Sequence, residues 1–156
     1  MLAAMPTHDA MSVLRYLRGT VPRGRWAWMW IQTAAGIVLT PLEVVAVAAG
    51  TVALPEASLL VWGPFFALAP WTSLLTTRVQ ADALPHEVVG PAARALTGLA
   101  ACWLAESIGA AALSGLAAGH DHAGRAVVHG FLVLLAFWCT WLTWAAAAHL
   151  RQRRSV

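Results

Sequence analysis

The stretch from Ala95 to His120 reads ALTGLAACWLAESIGAAALSGLAAGH, and its only charged residue is Glu106. A helix needs about 20 predominantly apolar residues to cross the hydrocarbon of a bilayer. The stretch is longer than that, and it lacks the alternation of apolar and polar residues that is typical of a membrane-spanning strand. It therefore predicts a membrane-spanning helix in an all-α protein, because helices satisfy their own backbone polar groups in lipid.

The rest of the chain has the same character. Hydrophobic residues make up 60% of the sequence and charged residues 11%, whereas about 25% charged residues is usual in a soluble domain. The uncharged runs predict four spans, at about residues 27–51, 57–77, 95–118 and 126–149. Before them, residues 9–18 place apolar side chains on one helical face and arginines on the other, which predicts an N-terminal interfacial amphipathic helix. We expect one transmembrane domain, an integral membrane four-helix bundle.

The arginines predict how this bundle is oriented. If the chain crosses the membrane four times, nine of the ten basic residues fall on one side of the membrane, and only Arg125 falls on the other. The positive-inside rule then places both termini and the connection between spans two and three in the cytoplasm, as in a multi-pass protein of the cell membrane. No basic patch is left over for nucleic acid. The chain contains no lysine and hence no phosphate-binding GxxxxGK[ST] loop, and we expect neither enzymatic activity nor a cofactor.

Three polar residues fall inside the predicted spans. Glu43 lies in the outer half of span one, Gln32 lies about three turns below it, and Glu106 lies near the middle of span three. Ionisable residues within a membrane are expensive, so they are candidates for function. We expect the three to line one polar interior. The alternative is that a protonated Glu106 donates a hydrogen bond to a neighbouring helix and only fixes packing.

The connection between spans three and four contains residue types that bind metals. Imidazole and carboxylate groups are ligands of zinc and copper. The candidates are His120, Asp121, His122 and His129. Their irregular spacing favours the alternative, which is a set of solvated histidines at the level of the lipid headgroups.

Small residues recur along one face of span three. They alternate four and three positions apart, at Gly98, Cys102, Ala105, Gly109 and Ala112. Such a face lets another helix approach closely. We expect it to pack against span one or against a partner copy. Separately, we expect the protein to form a homo- or hetero-oligomer with other membrane subunits.

Two stretches resemble known transporter families. The segment WLAESIGAAALSG around Glu106 looks like the first helix of small multidrug-resistance transporters, in which a membrane glutamate exchanges protons for drug. That resemblance implies proton-coupled efflux through Glu106. In that family three helices follow the glutamate, whereas one follows here.

The connection between spans two and three supports a second resemblance. Its charged residues are Arg78, Asp82, His86, Glu87 and Arg94, and we expect the prolines to limit it to a short helix between turns. The pattern of Leu14 and Leu17 in the first helix, then Pro91-Ala92-Ala93-Arg94-Ala95-Leu96 with Gly98, resembles the permeases of type-2 ABC exporters. In that family the N-terminal helix is interfacial and the connection is a coupling helix that docks on a cytoplasmic ATPase.

This second resemblance implies a function. The family has six spans, whereas this chain has four, which implies a reduced permease-like subunit of an exporter that works with a separate ATPase or another membrane partner. The five charged residues of the connection would then contact the partner. A non-transporting membrane scaffold or assembly subunit is the alternative from another class.

Overall fold

A computed structural model describes residues 7–154 of the chain, with side chains for 11–153. The described residues form five α-helices and one short 3₁₀ turn, with no strand among them. The helices are α1 (Thr7–Thr20), α2 (Arg23–Ala48), α3 (Leu59–Gln80), α4 (His86–Gly119) and α5 (Ala123–Arg154), and the 3₁₀ turn is Leu54–Glu56. The predicted all-α fold is confirmed.

Four of these helices, α2 to α5, are long and apolar enough to cross a membrane. Their outward faces carry large apolar side chains, such as Val127 (72% exposed) and Leu134 (69% exposed). A monomeric protein in water rarely exposes so much contiguous apolar surface. The chain is therefore a multi-pass membrane protein, and α1 is the short helix that precedes its first span.

The start of α4 differs from the sequence prediction. The expected short helix between turns is wrong, because the chain turns only between Gln80 and His86 and α4 then continues without a break to Gly119. Pro91 lies inside this helix. Since proline lacks an N–H, the carbonyl of Glu87 loses its helical donor. Glu87 lies in the exposed first turn, where water can reach that carbonyl and the helix tolerates the loss.

The spans pair as two antiparallel hairpins. Helix α4 packs along α5, α2 packs on α3, and α3 also contacts α4 and α5. The α2–α3 contact is very close at two glycines: a Cβ added at Gly36 would lie 2.2 Å from the carbonyl oxygen of Gly63, a distance that real Cβ atoms essentially never show. Small residues thus bring these two backbones together, as in other membrane helix pairs.

One end of the bundle brings together α1, the α3–α4 turn and the end of α5. The hydroxyl of Tyr16 in α1 donates a hydrogen bond to the carbonyl oxygen of Ala83, and Arg153 forms an ion pair with Asp82. The largest apolar cluster lies here, and Leu17 of α1 is fully buried in it. Helix α1 is therefore packed on the bundle by its apolar face, while Arg15 and Arg18 stay exposed.

Candidate functional site

Helix α3 is bonded to its neighbours on two sides by adjacent residues. The indole Nε1 of Trp71 donates a hydrogen bond to Thr33 Oγ1 of α2 at 2.9 Å. On the other side, Thr72 Oγ1 accepts a bond from Trp103 Nε1 of α4 at 2.7 Å, and Trp103 is fully buried. These indole–hydroxyl bonds fix the positions of α2, α3 and α4 relative to one another along the bundle axis. Neither pair was predicted from the sequence.

Glu43 has a structural partner. Its side chain is buried, and its carboxylate accepts a hydrogen bond from the backbone N–H of Leu60. Leu60 is the second residue of α3, and the first N–H groups of a helix have no partner within the helix itself. A carboxylate is also stabilised at the positive end of the helix dipole. Glu43 therefore attaches the start of α3 to α2.

Glu106 lies on the buried face of α4, between the fully buried Trp103 and Ala110. Only 9% of the residue is exposed, and its Oε1 atom has no hydrogen-bond partner among the described residues. The hydrogen bond to a neighbouring helix, which was the alternative role of Glu106, is not formed among residues 11–153. A buried polar atom without a partner costs free energy, so Glu106 does not contribute to helix packing as a bonded group.

His129 is the second polar side chain in this interior. It is fully buried on the stripe of α5 that also carries Leu132 and Ala136, and neither ring nitrogen has a partner among the described residues. The Oγ atoms of Ser107 and Ser114 donate to the carbonyl oxygens of Val133 and Ala126 and so set the register of α4 against α5. In this antiparallel register His129 of α5 lies near the level of Ala111 of α4, which is five residues, or about 7 Å along the helix axis, beyond Glu106.

The remaining candidates of the outer connection are separate from His129. His120, Asp121 and His122 lie at the turn between α4 and α5, where His122 Nε2 is 3.8 Å from Glu56 Oε1. Among the described residues, no group of three or more His, Cys, Asp or Glu side chains could hold a metal ion. The expectation that His129 is solvated is wrong, because helical spacing from Leu132 turns it into the bundle.

The three predicted interior residues are not bonded to one another within residues 11–153, and their shared interior stays a prediction. Gln32 is half-buried on α2, and within residues 11–153 no hydrogen bond or ion pair links it to Glu43 or Glu106. Helix α2 packs mainly on α3, whereas Glu106 lies on a face of α4 from which Trp103 binds α3 and Ser107 binds α5. The structure thus separates a bonded carboxylate, Glu43, from a region that contains two unbonded titratable groups, Glu106 and His129.

Most of the predicted docking residues are engaged within the chain. Arg78 donates a hydrogen bond to the carbonyl oxygen of Thr20 at 3.0 Å, Asp82 pairs with Arg153, and Arg94 also has an interaction. His86 and Glu87 are exposed in the first turn of α4. The α3–α4 connection is therefore an internal link between α1, α3 and α5 as well as a surface.

The face of small residues on α4 is exposed. Gly98, Cys102, Ala105, Gly109 and Ala112 are all exposed, and a Cβ added at Gly98 or Gly109 would meet nothing within 4 Å. Packing of this face against span one, one of the two expectations, is therefore wrong. The physical reason is that Gly36 and Gly63 bring α2 against α3 instead.

A comparison with known proteins found no match among family models, curated proteins or solved structures. The resemblances to type-2 ABC exporter permeases and to small multidrug-resistance transporters stay predictions.

Proposed function

We propose that this multi-pass membrane protein is a subunit of an exporter, a reduced permease-like chain that works with a separate ATPase or another membrane partner. The observation that supports this most is that Glu106 and His129 are both buried and that Glu106 Oε1 and both His129 ring nitrogens have no partner among residues 11–153. Keeping such groups in the interior costs stability, and ionisable groups in membrane interiors generally mark pathways for protons, ions or substrates.

A partner fits the exposed faces of the chain. The small-residue face of α4 offers a close approach to a helix of another subunit, since its glycines have open space beside them. A cytoplasmic ATPase would meet His86 and Glu87, because Arg78 and Asp82 already bind within the chain. The proposed docking surface is thus smaller than the one predicted from the sequence.

Accumulation of a panel of fluorescent lipophilic compounds in cells tests the role of Glu106. Cells that lack the protein are compared with cells that contain the wild-type chain, Glu106→Gln or Glu43→Gln in equal membrane amounts. We expect the wild type to lower accumulation of at least one compound and Glu106→Gln to abolish that effect. Glu43→Gln is the matched control, because an amide oxygen can still accept the bond from Leu60.

The outcomes separate the hypotheses. Export by Glu106→Gln at the wild-type rate would discard the role of this side chain. If the wild type has no effect on any compound, and mass spectrometry of gently extracted complexes finds the same partners with wild type and Glu106→Gln, a scaffold fits better. Loss of association on Glu87→Arg, with no loss on Glu56→Arg at the other end of the bundle, would support ATPase docking.

The ring nitrogens of His129, which have no partner among residues 11–153, favour a second candidate function, proton-coupled efflux without an ATPase. An imidazole can take up and release a proton near neutral pH. Proton transfer between His129 and Glu106 would need water between them, because the structure shows no hydrogen bond that joins the two side chains. In liposomes that contain only this protein, transport would then follow an imposed pH gradient without ATP. Transport that needs ATP and a second chain would rule this candidate out in favour of the first.

A further inference from the structure

A basic cleft lies between α1 and the first turns of α2. Its volume is about 540 Å³, and it is lined by Arg15, Arg18, Gly19, Val21, Arg23 and Trp26. The guanidinium groups come from two helices, which are joined by the short Val21–Pro22 turn. Three side chains of the same charge therefore face one cleft.

The arginines of this cleft differ from others at the same end of the bundle. Arg78 and Arg151 donate hydrogen bonds within the chain, and Arg153 pairs with Asp82. Arg15, Arg18 and Arg23 are exposed and have no hydrogen bond or ion pair among residues 11–153. Uncompensated like charges repel each other, so an anion that enters the cleft is favoured. Guanidinium groups bind phosphate oxygens with particularly good geometry.

An apolar groove continues directly from the cleft. Its volume is about 300 Å³, and it shares Arg15, Arg18 and Trp26 with the cleft while adding Met11, Leu14 and Trp30. Met11 is 56% exposed and Trp30 is 43% exposed. Trp26 and Trp30 lie in the first two turns of a membrane-spanning helix, where tryptophan rings favour the boundary between headgroups and hydrocarbon.

We propose that this cleft binds the headgroup of one anionic phospholipid, with its phosphate on Arg15, Arg18 and Arg23. The lipid's acyl chains then begin along Met11, Leu14 and Trp30. A free phosphate ion would use the arginines but would leave the apolar wall exposed, whereas a phospholipid matches both parts. Basic pockets next to membrane spans recognise anionic headgroups by the same physics.

Native mass spectrometry of the full-length protein in micelles tests this proposal. The micelles contain equal amounts of phosphatidylglycerol and phosphatidylcholine. We expect the wild type to retain one phosphatidylglycerol in preference to phosphatidylcholine. We expect each Arg→Gln change at Arg15, Arg18 or Arg23 to weaken phosphatidylglycerol binding about fivefold. Arg25→Gln is the matched control: it removes the same charge from the same turn, but Arg25 lines a different cleft, with Leu74 and Ala83.

Several results would overturn the proposal. One is that the triple variant, with Gln at positions 15, 18 and 23, retains as much phosphatidylglycerol as the wild type. Another is that Arg25→Gln weakens phosphatidylglycerol binding as much as the changes in the cleft do. A third is that the wild type retains phosphatidylcholine as well as it retains phosphatidylglycerol. Displacement by millimolar inorganic phosphate would indicate a site for the free ion. If the Gln variant does not fold, Arg→Lys at the same three positions keeps the charge. We expect that variant to bind more weakly than the wild type, because lysine lacks the bidentate fork, and unchanged binding would contradict phosphate recognition by the guanidinium groups.

Discussion

The hairpins α2–α3 and α4–α5 each contain one buried glutamate, and the two glutamates differ in their hydrogen bonding. In α2–α3, Glu43 accepts a backbone hydrogen bond from Leu60 at the start of α3. In α4–α5, Glu106 Oε1 has no partner among residues 11–153, and the ring nitrogens of the fully buried His129 have none either. The first hairpin uses its buried glutamate to hold two helices together, whereas the second contains a buried glutamate and a buried histidine that form no such bond among residues 11–153. We therefore assign a structural role to Glu43 in α2–α3 and place the candidate functional residues, Glu106 and His129, in α4–α5.

The largest effect is expected at the close contact of the first hairpin. In Gly36→Val, the new side chain meets the carbonyl oxygen of Gly63, so we expect the free energy of unfolding to fall by about 3 kcal/mol, the upper end of the range for overpacking. Titration with sodium dodecyl sulfate in mixed micelles, followed by circular dichroism, measures this loss. Gly115→Val is the control, since a Cβ there meets nothing within 4 Å. Equal losses in both variants would mean that α2 and α3 are not in close contact.

The next effect concerns Glu43. In Glu43→Ala, the N–H of Leu60 loses its acceptor in a part-buried position, so we expect a loss of about 2 kcal/mol in the same titration. Glu43→Gln keeps an acceptor oxygen and should lose much less. If Glu43→Ala is as stable as the wild type, Glu43 does not hold the start of α3, and the contrast with Glu106 disappears.

A smaller effect is expected where α3 joins the two hairpins. Trp103→Phe keeps an aromatic ring but removes the hydrogen bond to Thr72, and interhelical bonds in membranes contribute about 1 kcal/mol. The thermal unfolding temperature in one detergent measures the change. Trp144→Phe is the control, because Trp144 is 57% exposed and has no such bond. An equal shift in the two variants would show that the hydrogen bond between Trp103 and Thr72 does not determine the effect.

The smallest effect is expected at the ion pair between Asp82 and Arg153. Asp82 is 66% exposed on its side chain, so Asp82→Asn should lower stability by less than about 1 kcal/mol, and less still in high salt. Asparagine also tolerates the positive φ of 52° at this position. The salt dependence of the unfolding midpoint measures this contribution. A loss as large as that of Glu43→Ala would mean that the pair, and not the hairpin contacts, joins α5 to the α3–α4 turn.

The sequence predicted the parts of this fold that depend on local composition. Uncharged runs indicated four membrane helices, and the arginines indicated which ends of the helices lie together. Helix pairing was not predictable in the same way, because in lipid both the buried and the outward faces of a helix are apolar. Leu132 is 2% exposed and Leu134 is 69% exposed, yet they are the same residue type two positions apart. The burial of His129 follows from that register and could not be predicted from the histidine itself.

The contrast between the bonded Glu43 and the unbonded Glu106 is tested most directly by the free energy of unfolding of the Glu106→Leu variant. Leucine resembles glutamate in size and removes the unbonded polar atom from the interior. We predict stability equal to or higher than that of the wild type, since an apolar replacement removes a desolvation cost that no bond offsets. A loss of about 1–3 kcal/mol, as expected when a bonded buried group is removed, would show that Glu106 holds the bundle together and would contradict this account.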